Sequence, residues 1–196
     1  MALFLFIVFL IVAIVGRVAL QYKITGNHGL RPTGINSPTV AKISSLLFLI
    51  SFVALGLVIV LSTVGTLETP SKNKGTYFGV FCSVVGIAVT VISQYQMGAS
   101  WRIGVDESEQ TALIVHGIYS YVRNPIYTGV LLFCAGLLIQ IPSLYMLLIL
   151  IFIYASVEIH VRGVEEPYLE KIHGVSFTDY CKRAGRYLPL PKKPKE

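Results

Sequence analysis

From Ile126 to Val157 the chain reads IYTGVLLFCAGLLIQIPSLYMLLILIFIYASV, almost wholly apolar and interrupted at one point, Pro142-Ser143. A single bilayer crossing needs about 20 such residues, so this run is too long for one helix. Proline cannot continue a helix. The stretch therefore predicts a tight hairpin of two membrane helices, Ile126–Ile141 and Leu144–Val157, the second continuing through Glu158 to about His160.

The rest of the chain agrees. Of 196 residues, 54% are hydrophobic and only 13% charged, with a mean hydropathy of +0.70. Soluble domains carry about 25% charged residues, and disorder requires low hydrophobicity. Ala2–Leu20, Ala41–Val64 and Thr76–Tyr95 are three further apolar runs of spanning length, which makes five. The first lacks a positive n-region and its apolar core runs long, so it reads as a span and not a cleaved signal. The expected fold is an all-α integral membrane protein of five transmembrane helices forming a single membrane domain over residues 1–196, with spans at about 2–20, 41–64, 76–95, 126–141 and 144–160.

Charge placement orients the chain. The tail after His160 carries Arg162, Lys171, Lys182, Arg183, Arg186, Lys192, Lys193 and Lys195. Loops 21–40 and 96–124 add Lys23, Arg31, Arg102 and Arg123, with Arg17 and Lys42 at nearby span ends. Only Lys72 and Lys74 lie on the other side, 14 against 2 of the 16 basic residues. The positive-inside rule then puts the N-terminus outside and the C-terminus in the cytoplasm. The net charge of +6 is mainly this topology signal, with attraction to anionic membrane lipids secondary, and nucleic acid is not an expected partner. Cys82, Cys134 and Cys181 are odd in number and lack metal-ligand spacing. The spans hold few ionisable groups, which argues against an ion path.

The chemistry-bearing residues sit in two cytoplasmic pieces. The first is the loop before the fourth span. Its acidic patch, Asp106 to Glu109, reads as a solvated turn. After Leu113-Ile114-Val115 come His116-Gly117-Ile118-Tyr119-Ser120-Tyr121-Val122-Arg123-Asn124-Pro125-Ile126-Tyr127. Asn is a favoured N-cap and Pro a favoured first helical residue, so the fourth helix should begin at Asn124-Pro125. The free amides of that start suit a carboxylate or phosphate, although it could equally be a plain helix start at the membrane surface. Tyr119, Tyr121 and Tyr127 could be an interfacial aromatic belt or walls for a flat heterocycle. His116 could contact a ligand or be structural.

The second piece begins Glu158-Ile159-His160-Val161-Arg162-Gly163-Val164-Glu165-Glu166-Pro167. Pro167 opens a new helix or kinks the fifth one, and Gly174 is a plausible stop. Ser176 to Asp179 resembles a capping box for a last helix ending near Gly185. Glu165 and Glu166 favour a helix start, and if partly buried they require a cation. Arg162 and Arg183 could grip an anionic substrate or meet lipid headgroups.

Together, Arg123-Asn124-Pro125-Ile126-Tyr127, the pair Glu165-Glu166, and Tyr180-Cys181-Lys182-Arg183 followed by Leu188-Pro189 resemble the signature of the isoprenylcysteine carboxyl methyltransferase family. That family belongs with the phospholipid N-methyltransferases in one membrane superfamily. The resemblance spans residues 100–191, the family-like catalytic region, and resembles a compact prokaryotic-type member. It implies S-adenosylmethionine as methyl donor, with S-adenosylhomocysteine as product, in a cytoplasmic pocket built from the loop before the fourth helix and the C-terminal tail. By that analogy Leu113, Ile114, Val115, His116, Gly117, Tyr119, Asn124, Pro125, Tyr127, Glu165 and Glu166 bind the cofactor. Arg162 and Arg183 then lie toward the acceptor as catalytic residues. Asn124 stands where the family has histidine, which keeps a capping residue but removes an imidazole.

The implied partner is a lipophilic acceptor arriving through the bilayer: a prenylated cysteine, an isoprenoid acid or a lipid. A carboxylate acceptor is already ionised at neutral pH and needs no base; a lipid amine must first lose a proton. No metal is expected. An NADPH-dependent membrane sterol or isoprenoid reductase and a non-enzymatic scaffold are the alternatives, the first disfavoured because no phosphate-binding glycine motif is present.

Overall fold

The computed structural model describes residues 1–30, 37–67, 74–101 and 112–191. The acidic patch at Asp106–Glu109 and the charges Arg31, Lys72, Arg102, Lys192, Lys193 and Lys195 lie outside the described residues. The architecture is all-helical: α1 (Ala2–Thr25), α2 (Thr39–Thr63), α3 (Lys74–Met97), α4 (Pro125–Gln140), α5 (Leu144–His173) and α6 (Val175–Arg183). The chain is an integral, multi-pass membrane protein. Large apolar side chains such as Phe4, Leu46, Ile50 and Phe81 are exposed on the helices, as expected where the solvent is lipid.

Four of these helices, α1, α2, α3 and α5, are long and apolar enough to cross a membrane. The expected fourth span, α4, has 16 residues, about 24 Å at 1.5 Å per residue, against a hydrocarbon core of about 30 Å. The five expected spans correspond to these four long helices and one shorter apolar helix. Pro142-Ser143 does break the run, and the Ser143 hydroxyl accepts from Met146 N at 3.3 Å to start α5.

Small residues let α3 and α4 run antiparallel in close contact. A Cβ on Gly79 would lie 2.7 Å from Gly136 O, and one on Gly86 would collide with Phe133 N. Ser83 Oγ donates to Phe133 O at 3.3 Å and accepts from Gln140 Nε2 at 3.1 Å. Small residues and interhelical hydrogen bonds are what hold helices together where lipid tails are as apolar as leucine. Phe9 of α1 stacks on Phe133 of α4 at 4.4 Å, within a core shared by α1, α2, α4 and α5 that includes Leu55, Ile59, Leu137 and Ile153.

Helix α5 continues past His160, without the break considered at Pro167. Its turn Val161–Glu165 is π-helical and α geometry resumes at Glu166. Pro167 has no N–H, and its ring would clash with the carbonyl four residues back, that of Gly163; widening the turn relieves both problems. Gly163 also lets α5 touch the start of α2, since a Cβ there would lie 2.6 Å from Val40 Cγ1. Gly174, with φ +50°, ends α5 as expected. Two anticipated caps do not form. Asn124 occupies the N-cap position of α4 without a side-chain cap hydrogen bond, and α6 begins at Val175 with Gly174 as N-cap, so the Ser176–Asp179 box is not made.

Candidate active site

The ends of α1, α3 and α5 and the starts of α2 and α4 share one face of the bundle. There the segment after α6 doubles back along the loop that leads into α4. Arg123 N donates to Gly185 O at 2.7 Å, Asn124 N to Arg186 O at 3.0 Å, and Gly185 N to Tyr121 O at 3.0 Å. Thr128 Oγ1 adds a bond to Tyr187 O at 2.8 Å. Gly185 is required by the tight turn within the strap itself, because a Cβ there would collide with Leu188 O.

Beneath this strap lies a cavity of about 810 Å³, within the range of about 300–1,000 Å³ usual for small-molecule sites. Arg123, Asn124, Tyr127, His160, Glu165 and Glu166 line its polar end; Leu113, Ile114, Tyr119, Leu169, Phe177 and Tyr180 form walls. From there it descends between α1 and α2. Ser44, Phe48, Phe52 and Gly56 line it turn by turn on α2, as do Ala13, Phe9 and Phe6 on α1. Twelve residues of α2 correspond to about 18 Å of depth. The lining residues Leu49 and Val53 are 59% and 64% exposed, so the groove opens sideways to the bilayer between those helices.

The adjacent glutamates have different surroundings. Glu166 receives Arg186 Nε and Nη2 at 2.9 and 2.8 Å and Arg123 Nη2 at 3.1 Å, so both its oxygens are occupied. Among the described residues, Glu165 accepts from Tyr127 Oη, at 2.7 Å, and has His160 Nε2 at 3.6 Å from the same Oε1. Five residues apart on an α-helix stand about 140° apart around the axis. The π-helical turn between His160 and Glu165 brings such residues into line.

Several groups outside the spans are fixed by burial. Burial pushes the Tyr119 phenol well above its usual range; its hydroxyl donates to Ser93 O at 3.3 Å. Burial likewise pushes Tyr180 up to about 12, and Tyr180 Oη donates to Tyr119 O at 2.6 Å. Hydrogen bonds to Glu166 raise Arg186. Burial, with the bond to Glu158 Oε2 at 2.7 Å, raises Tyr187. These phenols are neutral donors at physiological pH.

Of the residues singled out in the sequence, Leu113, Ile114, Tyr119, Asn124, Pro125, Tyr127, Glu165 and Glu166 line the cavity. Val115, His116 and Gly117 do not: they lie on the exposed turn beside it. Gly117 has φ +61°, and Gln96 Oε1 fixes the turn by accepting from Ile118 N at 2.8 Å. Arg162 is exposed and pairs with Glu158. Arg183 is exposed, its Nε donating to Asp179 O at 3.3 Å. Neither arginine reaches the cavity, because both point from the solvent-facing sides of their helices. Among the described residues, the guanidinium of Arg123 lines the cavity and that of Arg186 holds Glu166 beside it. His160 and Ser44 also line the cavity, and sequence reasoning gives neither a role; the His160–Glu165 spacing fits no α-helical face and so carries no signal.

The residues present fit an adenosyl sulfonium compound. Apolar and aromatic walls suit a nucleobase. Glu165 retains acceptor capacity for an amino group or ribose hydroxyls, and the Ile126 and Tyr127 amides at the start of α4 have no side-chain cap, which suits a carboxylate.

The model of the phospholipid methyltransferase family matches residues 75–176. Among solved structures, the chain is similar to a eukaryotic intramembrane Ras methyltransferase, isoprenylcysteine carboxyl methyltransferase. That match has a TM-score of 0.51 and 20% identity over 77% of this chain. The chain spans about half of that protein's length, 51%, and the likeness is one of fold. No curated protein sequence matches the chain.

Proposed function

The chain belongs to the phospholipid methyltransferase family, and from that premise we propose that it transfers a methyl group from S-adenosylmethionine to the polar end of a lipophilic acceptor. The observation that carries this reading is the shape of the cavity, polar beneath the strap and apolar where it opens between α1 and α2. A water-soluble donor and a lipid-borne acceptor can reach one point from opposite directions. The positive-inside count supports a cytoplasmic strap face, where the donor is made available.

When bound, S-adenosylmethionine supplies a methyl group already activated on a positive sulfur. Glu165 would hold its amino group or ribose. The first amides of α4 would hold its carboxylate, with the positive end of the helix dipole behind them. Leu113, Ile114, Tyr119, Leu169 and Phe177 would enclose the nucleobase. Arg123, Arg186 and Glu166 hold the strap over this end and limit access of water. What remains for the protein is alignment of the acceptor atom with the methyl group in a dry site.

The acceptor to which the motif resemblance leads is the carboxylate of a prenylcysteine or isoprenoid acid, which needs no base. A lipid amine is the second reading, and one observation favours it: the imidazole of His160 stands in the cavity next to Glu165. The test is a radiolabelled methyl-transfer screen on detergent-purified protein against N-acetyl-S-farnesylcysteine, isoprenoid acids and phosphatidylethanolamine. Label in a lipophilic product supports the proposal. NADPH oxidation on adding a sterol, with no methyl transfer to any acceptor, overturns it.

A further inference from the structure

The Ser44 hydroxyl of α2 is almost fully buried, at 1% exposure. It donates to Ala41 O at 3.1 Å and lies 2.9 Å from His160 Nδ1. A hydroxyl has one proton, and with that proton on Ala41 O its lone pairs face the imidazole. Nδ1 is then the N–H of the neutral ring, which leaves Nε2 bare; with the hydroxyl proton on Nδ1 instead, Nε2 carries the N–H. Nε2 faces Glu165 Oε1 at 3.6 Å, beyond hydrogen-bond range, and that oxygen already accepts from Tyr127 at 2.7 Å. In the first arrangement two acceptors, Nε2 and Glu165 Oε1, face each other among the described residues. The His160 side chain is only 13% exposed, so bulk water does not fill the gap freely.

We propose that His160 Nε2 is the proton acceptor of this cavity, with Ser44 the positioning residue that fixes its tautomer. The inference rests on the methyl-transfer reading above and adds a group that reading does not require for a carboxylate. An acceptor ammonium gives one proton to Nε2. Its nitrogen, now with a free lone pair, forms the new N–C bond as the C–S bond breaks, and that electron pair stays on sulfur. The imidazolium N–H then faces Glu165, whose negative charge stabilises it, until the proton leaves to water. The titratable groups meeting the ring are Glu165 on its own helix and, through that carboxylate, Tyr127 of α4; Ser44 is the contact from α2.

The test combines a measurement without turnover and one with it. Nitrogen-15 NMR of the histidine side chains in detergent, with the His160 signals assigned by their absence in His160→Gln, should show the Nδ1–H tautomer at neutral pH. In Ser44→Ala that preference should be lost. With S-adenosylmethionine as donor, His160→Gln should slow methylation of phosphatidylethanolamine by about 100-fold or more, the range of general base catalysis. Methylation of N-acetyl-S-farnesylcysteine, which yields no proton, should lose less than phosphatidylethanolamine methylation by about tenfold or more on the same reasoning. An Nε2–H tautomer in the wild type overturns the proposal. So does an equal loss with both acceptors, or transfer to the carboxylate alone. Transfer to neither acceptor overturns the methyl-transfer reading instead, and the tautomer result, which needs no turnover, tells the two failures apart.

Discussion

Arg186 grips Glu166 through two parallel hydrogen bonds, Nε to Oε1 at 2.9 Å and Nη2 to Oε2 at 2.8 Å, and so ties the C-terminal strap to α5. Such bidentate pairs combine strength with fixed geometry. Arg123 joins the same carboxylate from the α4 side at 3.1 Å, so one side chain anchors three segments. Glu166→Gln removes the carboxylate that Arg123 and Arg186 share and leaves Arg186 the longer contact to Glu158 Oε1 at 3.5 Å. The expected cost is about 1–3 kcal/mol, read as a lower melting temperature in detergent. An unchanged melting temperature would contradict the anchoring role.

Gly185 tests the strap through shape alone. The carbonyl of Leu188 occupies the space that a Cβ at this position would need. Gly185→Ala should displace the strap, costing about 1–3 kcal/mol as overpacking does, and should expose the Gly185–Tyr121 amide bond to exchange. Hydrogen exchange at residues 121–124 should accelerate, while exchange in α3 should not.

The α3–α4 contact predicts a different failure. In Gly86→Ala the added methyl runs into Phe133 N, a backbone atom that cannot rotate away. The two helices must separate along their shared face, with a loss of about 1–3 kcal/mol read as unfolding at lower denaturant concentration. Gly26→Ala is a poor comparison because its φ of +71° is itself strained. Ala54→Gly, on α2 and away from this contact, supplies the control.

Tyr180 gives the pH prediction. Its phenol is pushed up to about 12 by burial, against about 10 when unfolded. A group that binds its proton more tightly when folded contributes stability that is complete below about pH 10 and is lost as pH rises toward about 12. The difference in tyrosinate absorbance between wild type and Tyr180→Phe should therefore show one phenol ionising near pH 12. Ionisation near the ordinary value of about 10 would contradict the burial of this phenol.

The opening between α1 and α2 predicts selectivity by chain length. Val53→Trp would fill the groove where it meets lipid. It should raise KM for long-chain acceptors about tenfold, or about 1.4 kcal/mol, with kcat little changed and short-chain acceptors unaffected. An equal effect on both would place the acceptor path elsewhere.

Much of this arrangement is legible in the sequence. The Pro142-Ser143 break dictates the hairpin, and Asn124-Pro125 marks the helix start, because proline chemistry is local. Glycines seven apart in both α3 (Gly79, Gly86) and α4 (Gly129, Gly136) are a further signal of close pairing. What a linear reading misses is non-local or depends on irregular helix. Helical periodicity separates His160 from Glu165, and only the π turn ahead of Pro167 brings them together. Arg183 looks equivalent to Arg186 as a basic residue of the tail, yet three positions further on the chain has left α6 and turned back over Glu166. Arg162 shares an α-helical face with Glu158, which holds it outside.

Every step proposed for this site requires its polar end to hold the adenosyl and amino acid parts shared by the methyl donor and its product at Glu165. Calorimetric titration of S-adenosylhomocysteine into the detergent-purified protein measures that directly. Saturable one-site binding is expected for the wild type, weakened about tenfold or more in a folded Glu165→Gln variant, as loss of a charged hydrogen-bond partner of about 1.5–3 kcal/mol requires. No binding by the wild type, or equal affinity in both proteins, would contradict it.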